Sequence, residues 1–147
     1  MFAESTLPAI TGVPPREYEE VARRANHQCE FCLAPEEFFN SPFEVEHVVP
    51  RARGGRGHLD NLVLACRNCN GSKHARLALR DLETDVEVPI FNPRRQRWSD
   101  HFVFEISEVA VEIAGKTALG RATALHLNMN SAKALEARTL WFEFYSR

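Results

Sequence analysis

Long apolar runs are missing from this 147-residue sequence; none approaches the roughly 20 residues a helix needs to cross a bilayer. The opening stretch, MFAESTLPAITGVPP, lacks the basic start and extended apolar core of a secretory signal. The cytoplasm is therefore the expected compartment, with no membrane association. Internal repeats and low-complexity segments are absent too, which excludes a repeat architecture. There is little net charge: a formal −2 names no polyanionic partner by itself. The length is short for two ordinary domains and ample for one with a real core. A hydrophobic content of 44% with 26% charged residues is that of a globular chain.

What charge there is lies unevenly. Residues 1–46 carry nine acids and three bases, residues 47–97 ten bases and five acids, and residues 98–147 six acids and five bases. A basic centre between acidic and neutral flanks suggests a local surface for an anionic partner.

Four cysteines fall into two C-x2-C pairs, Cys29 with Cys32 in CEFC and Cys66 with Cys69 in CRNC. Each pair can form a tight knuckle that offers two thiolates at Zn–S distances of about 2.3 Å. Two knuckles make a closed tetrahedral site, the arrangement of structural zinc. Disulfides would need an oxidising compartment, which the missing signal argues against. A thioredoxin-like motif expects one such pair after a strand, not two. His27 or His74 in place of one thiolate stays open. The 33 residues between the knuckles exceed the gap in common zinc ribbons, so further machinery is expected inside the loop.

The surrounding pattern is that of a mixed fold. Pro14 and Pro15 precede REYEEVARRANHQ, whose Tyr18, Val21, Ala22 and Ala25 are spaced as on a helix. PEEFFN suggests a short helical turn with Phe38 and Phe39 in the core. FEVEHVV alternates as a strand ending at Pro50, RARGGRGH reads as a loop, and NLVLA as a second strand. A helix is expected over CNGSKHARLAL, then an irregular connection through DLETDVEVPIFNPRRQRW. Strands are expected at HFVFEI and VAVEIAG. Two helices follow, capped by Thr117 and Ser131, the second placing Leu135, Trp141 and Phe142 in the core.

The stretch VEHVVPRARGGRGHLDNLVLACRNCNGSK holds the chemistry. Hydrolysis of a phosphodiester needs a base for water and a divalent cation for the phosphate charge. His47 suits the first task near neutral pH. Glu46 and Asn70 offer the hard oxygen ligands that the second requires. Asn70 and Lys73, three apart on the expected helix, share a face.

Glu46-His47, Asn61 in DNL and CRNCN-x-x-K closely resemble the HNH endonucleases, and Pro50 and Gly54-Gly55 fit the same pattern. The resemblance covers about residues 27–75. FNPRRQRWSDHF and GKTALGRATALHLNMN are similar to the tail of stand-alone bacterial members. It implies an α+β fold: a ββα-metal, treble-clef-like finger with an N-terminal helix and a C-terminal α/β extension. Residues 1–15 would be a leader, 16–80 the zinc-stabilised nuclease core and 81–147 the extension, all in one domain.

By that resemblance His47 is the general base and Glu46 a ligand of the catalytic cation, Mg2+ or Mn2+. Asn61 holds the loop, and Asn70 stands where the family's last histidine usually sits. This makes an H-N-N variant, an arrangement also found in the HNH domains of RNA-guided DNA nucleases. Cys29, Cys32, Cys66 and Cys69 would hold structural Zn2+. Arg51, Arg53, Arg56 and Arg67 would contact DNA phosphates, with RNA a second possible substrate. Lys73 would either join them or complete a solvated face. Arg94, Arg95 and Arg97 beside Trp98 would either extend that track or belong to a solvated loop with a core tryptophan. Other readings of the same residues are a zinc-stabilised nucleic-acid-binding module without catalysis, or a zinc-built protein-interaction domain.

Overall fold

The computed structural model describes residues 15–74 and 76–147. The expected leader, 1–15, lies outside the described residues except for Pro15, which opens the first helix. That helix, α1 (Pro15–Arg24), carries Glu17 in its first turn and Arg23 and Arg24 in its last, both signs favourable to the helix dipole. Val21 and Ala22 are fully buried, with Tyr18 and Ala25 packed against the same core. Asn26 and His27 then take left-handed backbone angles, which ends the helix and turns the chain into the first knuckle.

Strand β1 (Glu44–His47) pairs antiparallel with β2 (Leu62–Ala65), Glu46 opposite Val63 and His47 opposite Leu62. Burial alternates along β1, with Val45 and His47 inside, whereas β2 is buried throughout. Helix α2 (Arg67–Lys73) follows at once, its N-cap Cys66 accepting from the Cys69 amide through Sγ. It starts before Cys69 and stops well short of the expected Leu79. His74 adopts a positive φ of 53°, and the chain enters β3 (Ala78–Asp81) with Leu79 and Asp81 turned inward.

β3 pairs antiparallel with β4 (Val86–Pro89), where an irregular connection was expected. The pattern is hidden in the sequence because one inward position is an aspartate. Asp81 is buried and accepts from Arg121, 2.9 Å away, and from the Thr84 hydroxyl at 2.7 Å. The elements expected after this hairpin fit closely. A single turn, α3 (Trp98–His101), leads into β5 (Phe102–Ile106), which pairs with β6 (Val111–Gly115). Thr117 caps α4 (Ala118–His126), and Ser131 caps α5 (Ala132–Tyr145).

Among the described residues the fold is thus mixed α/β, three two-stranded antiparallel hairpins laced by helices. One cluster of buried residues runs from Val21 on α1 to Met129 beyond α4 and includes all four cysteines. Trp141 is buried, while Leu135 and Phe142 are half-buried. Phe38 and Phe39 depart from expectation: each is 38% exposed. They sit on a short 3-10 turn at the surface, Phe38 edge-on to Phe144 and Tyr145, and Phe39 against Phe43. Among the described residues no helix is long and apolar enough to cross a membrane.

Candidate metal centre and catalytic site

The two knuckles converge although 33 residues separate them, because the β1–β2 hairpin folds back and delivers Cys66 next to Cys32. The sulfurs of Cys29, Cys32, Cys66 and Cys69 all lie within 4.8 Å of one another, and all four residues are buried. Cys32 Sγ is 3.8 Å from Cys66 Sγ. A tetrahedron of 2.3 Å Zn–S bonds has edges of about 3.8 Å, so the donor set fits zinc. The first cysteine of each knuckle accepts from the backbone of the second, at 3.5 Å for Cys29 and 3.4 Å for Cys66. All four are free thiols rather than disulfides. Hydrogen bonding with Cys29 pushes the Cys32 and Cys69 thiols well above the ordinary range. Four thiolates in one buried space need a cation between them. His27 is no ligand here, since its Nδ1 lies 2.8 Å from Glu36 and its side chain is 60% exposed. His74 caps the far end of α2 in solvent.

The other half of the site is built on the outer end of β1. His47 is 7% exposed. Burial, then the positive charges of Arg51 and Lys73, hold its pKa below the usual imidazole range. It is therefore neutral near pH 7. Arg51 Nε lies 3.4 Å from Nε2 and can only donate, so Nε2 carries the lone pair. Glu46 is half-buried, with Oε1 accepting from the His47 amide at 2.7 Å. Burial pushes its carboxyl pKa up, opposed by the Lys73 charge.

Asn61 ties the connecting loop to the strand end. Its Oδ1 accepts from Val49 N at 2.9 Å, and its Nδ2 donates to Val49 O at 3.1 Å and Arg56 O at 2.7 Å. Gly55 lets this loop close, since a Cβ there would lie 1.7 Å from the Val49 carbonyl oxygen. On α2, Asn70 Nδ2 donates to Glu44, while its Oδ1 is buried with no hydrogen-bond partner among the described residues. A buried acceptor left so is costly, and an oxygen-seeking cation would satisfy it.

Residues 29–76 match the family model for HNH endonuclease. This segment is similar to an HNH endonuclease domain. The chain is also 42% identical over 69 residues to the CRISPR-associated endonuclease Cas9 of Corynebacterium diphtheriae. That match takes in 44% of this chain but only 6% of the relative, so the chain spans a small part of its length. No solved structure matches.

Around the matched segment the basic residues divide. Arg51, Arg53, Arg56 and Arg67 are exposed on the loop and the start of α2. Lys73 is not: it is 1% exposed and donates to the His47 carbonyl oxygen at 3.1 Å. Neither phosphate contact nor a solvated face describes it, because α2 lays it under β1. Arg94 is also withdrawn from solvent, in an ion pair with Glu30. Trp98 donates to Phe31 O at 2.7 Å and packs on Phe102 and Phe104, so its ring is occupied. Arg95 and Arg97 remain exposed.

Three residues escaped the sequence reading. Glu44 pairs with Asn70 and Arg67, and Glu36 accepts from Tyr18 and from the Phe43 amide. Arg138, buried on α5, donates to Val111 O and Met129 O. Only Glu44 left a signal, lying two residues before Glu46 and hence on the same strand face.

Proposed function

We propose that the protein is a metal-dependent endonuclease hydrolysing DNA phosphodiester bonds, with β1, β2 and α2 forming a ββα-metal finger. One observation carries this reading. Within the segment that matches the HNH model, a buried histidine follows a carboxylate on β1, and on the helix packed against that strand an amide oxygen is buried with no partner among the described residues. His47 takes a proton from water at Nε2, the nitrogen that carries the lone pair. Arg51 must swing off that nitrogen as substrate arrives, and the phosphate is its natural new partner. Asn61 keeps the loop from shifting and so holds the imidazole in place. Glu46 and Asn70 offer oxygens to a hard cation, Mg2+ or Mn2+, which when bound stabilises charge on the phosphate and leaving oxygen.

The four-cysteine site is coordinatively closed when filled by zinc, so its part is to brace the finger, not to activate water. Arg51, Arg53, Arg56 and Arg67 position the backbone of the nucleic acid without reading its sequence. Residues 16–80 are the nuclease core and 81–147 the extension of one domain, working in a reducing cytoplasm.

The test is nicking of supercoiled plasmid with Mg2+, Mn2+ or chelator, and with a single-stranded RNA in parallel. His47→Ala should keep zinc, fold and DNA binding yet lose on the order of 10²–10⁴ in rate. Full activity in folded, zinc-bearing His47→Ala would overturn the mechanism.

A further inference from the structure

Glu44 has no part in the roles assigned so far. It lies two residues before Glu46 on β1, so both side chains leave the same face of the strand. That face meets α2: Asn70 Nδ2 donates to Glu44 Oε2, and Arg67 Nε stands 3.8 Å from Oε1. A carboxylate accepts and cannot donate, so only the NH2 end of the amide can face it. Turning the amide over would set two acceptors together with no proton between them. The choice of which end of Asn70 points away is therefore made by Glu44. The end left over is Oδ1, buried and without a partner among the described residues.

We infer that Glu44 is a positioning residue, which orients the Asn70 amide so that its oxygen faces the divalent cation. It acts as a hydrogen-bond acceptor, neither as a ligand nor through its charge. This rests on the function proposed above.

The test measures Mn2+ binding to the zinc-loaded, full-length protein by electron paramagnetic resonance, which does not depend on cleavage. Mn2+ stands low in the divalent affinity series and leaves a zinc tetrathiolate in place. Glu44→Met fills the same space without a strong acceptor and should weaken Mn2+ binding by about 10–100-fold, as loss of an outer partner typically does. Glu44→Gln still accepts from Asn70 through Oε1 and should keep the parent affinity. Glu44→Ala replaces Glu44→Met if the latter loses zinc. Equal weakening in the Gln and Met variants would overturn the inference and make Glu44 a ligand or a charge. Parent-like binding in Glu44→Met would overturn it too. Glu46→Ala and Asn70→Ala report on the cation site itself. If neither weakens Mn2+ binding, that site is wrong and the Glu44 inference falls with it. If both do while Glu44→Met does not, only Glu44 is removed.

Discussion

A lysine three positions after Asn70 on a short helix invites a surface reading, and Lys73 shows what such a reading leaves out. Helical spacing gives the face a side chain occupies but not what covers that face. Here β1 covers it, and the amine spends its proton on the His47 carbonyl while its charge faces Glu46. Burial pulls its pKa down, opposed by that carboxylate. Lys73→Ala should then cost about 1–3 kcal/mol in chemical denaturation of the zinc-loaded protein, because it strands a buried carbonyl. Arg56→Ala should do the reverse. An exposed side chain changes stability by roughly 0.5 kcal/mol or less, while DNA binding weakens and its salt dependence becomes shallower. Lys73→Ala with parent stability and reduced DNA affinity would restore the phosphate role. By contrast the meeting of the four cysteines and the strand placement of Glu46 and His47 were legible, because thiol spacing and β-alternation state geometry directly. Arg94 was not, since its partner Glu30 lies 64 residues away.

Elements were legible where apolar alternation or a cap marked them, as in β1, β2, β5, β6, α4 and α5. The β3–β4 hairpin was not, because Asp81 occupies an inward position that patterning reserves for apolar residues. What makes that position tenable is Arg121, reaching from α4 to the carboxylate, with Thr84 beside it. Hydrogen bonding from Arg121, then from Thr84, holds the Asp81 carboxyl pKa well below the usual range. The sign follows from linkage. A depressed folded-state pKa adds stability that is full above the unfolded value of about 3.9 and drains away as pH falls below it. Asp81→Asn should therefore be less stable than the parent at pH 6, and the two should converge as pH drops below about 4. Denaturation midpoints taken across that range would show it. A gap that stays constant with pH would mean that Asp81 acts by packing alone.

At the scale of the whole molecule, the C-terminal half grips both cysteine knuckles from outside. Between Cys29 and Cys32 stand Glu30 and Phe31: Arg94 pairs with the first, and the Trp98 indole donates to the carbonyl of the second at 2.7 Å. Between Cys66 and Cys69, Asn68 donates to Leu127 O at 3.2 Å and Asn128 O at 3.1 Å. Arg138 adds a buried positive charge on the side of Cys32, Cys66 and Cys69, where a zinc tetrathiolate carries net negative charge. Metal binding and folding are one equilibrium in such sites, so whatever stiffens the knuckles slows loss of the ion. Trp98→Phe should retain a ring to pack on Phe102 and Phe104 yet lose the donor to Phe31. Asn68→Ala loses both contacts to the turn after α4. Trp98→Phe should speed zinc release to a chelator by about 2–10-fold, the size of one net hydrogen bond, and Asn68→Ala by at least as much. The double variant should multiply the two, since the contacts lie on separate knuckles. Circular dichroism of the zinc-loaded proteins should match the parent. Release as slow as the parent's in the double variant would show that the knuckles hold zinc unaided. A chain ending at residue 80 would then keep its metal; on the present reading it loses both outer supports and releases zinc fastest of all.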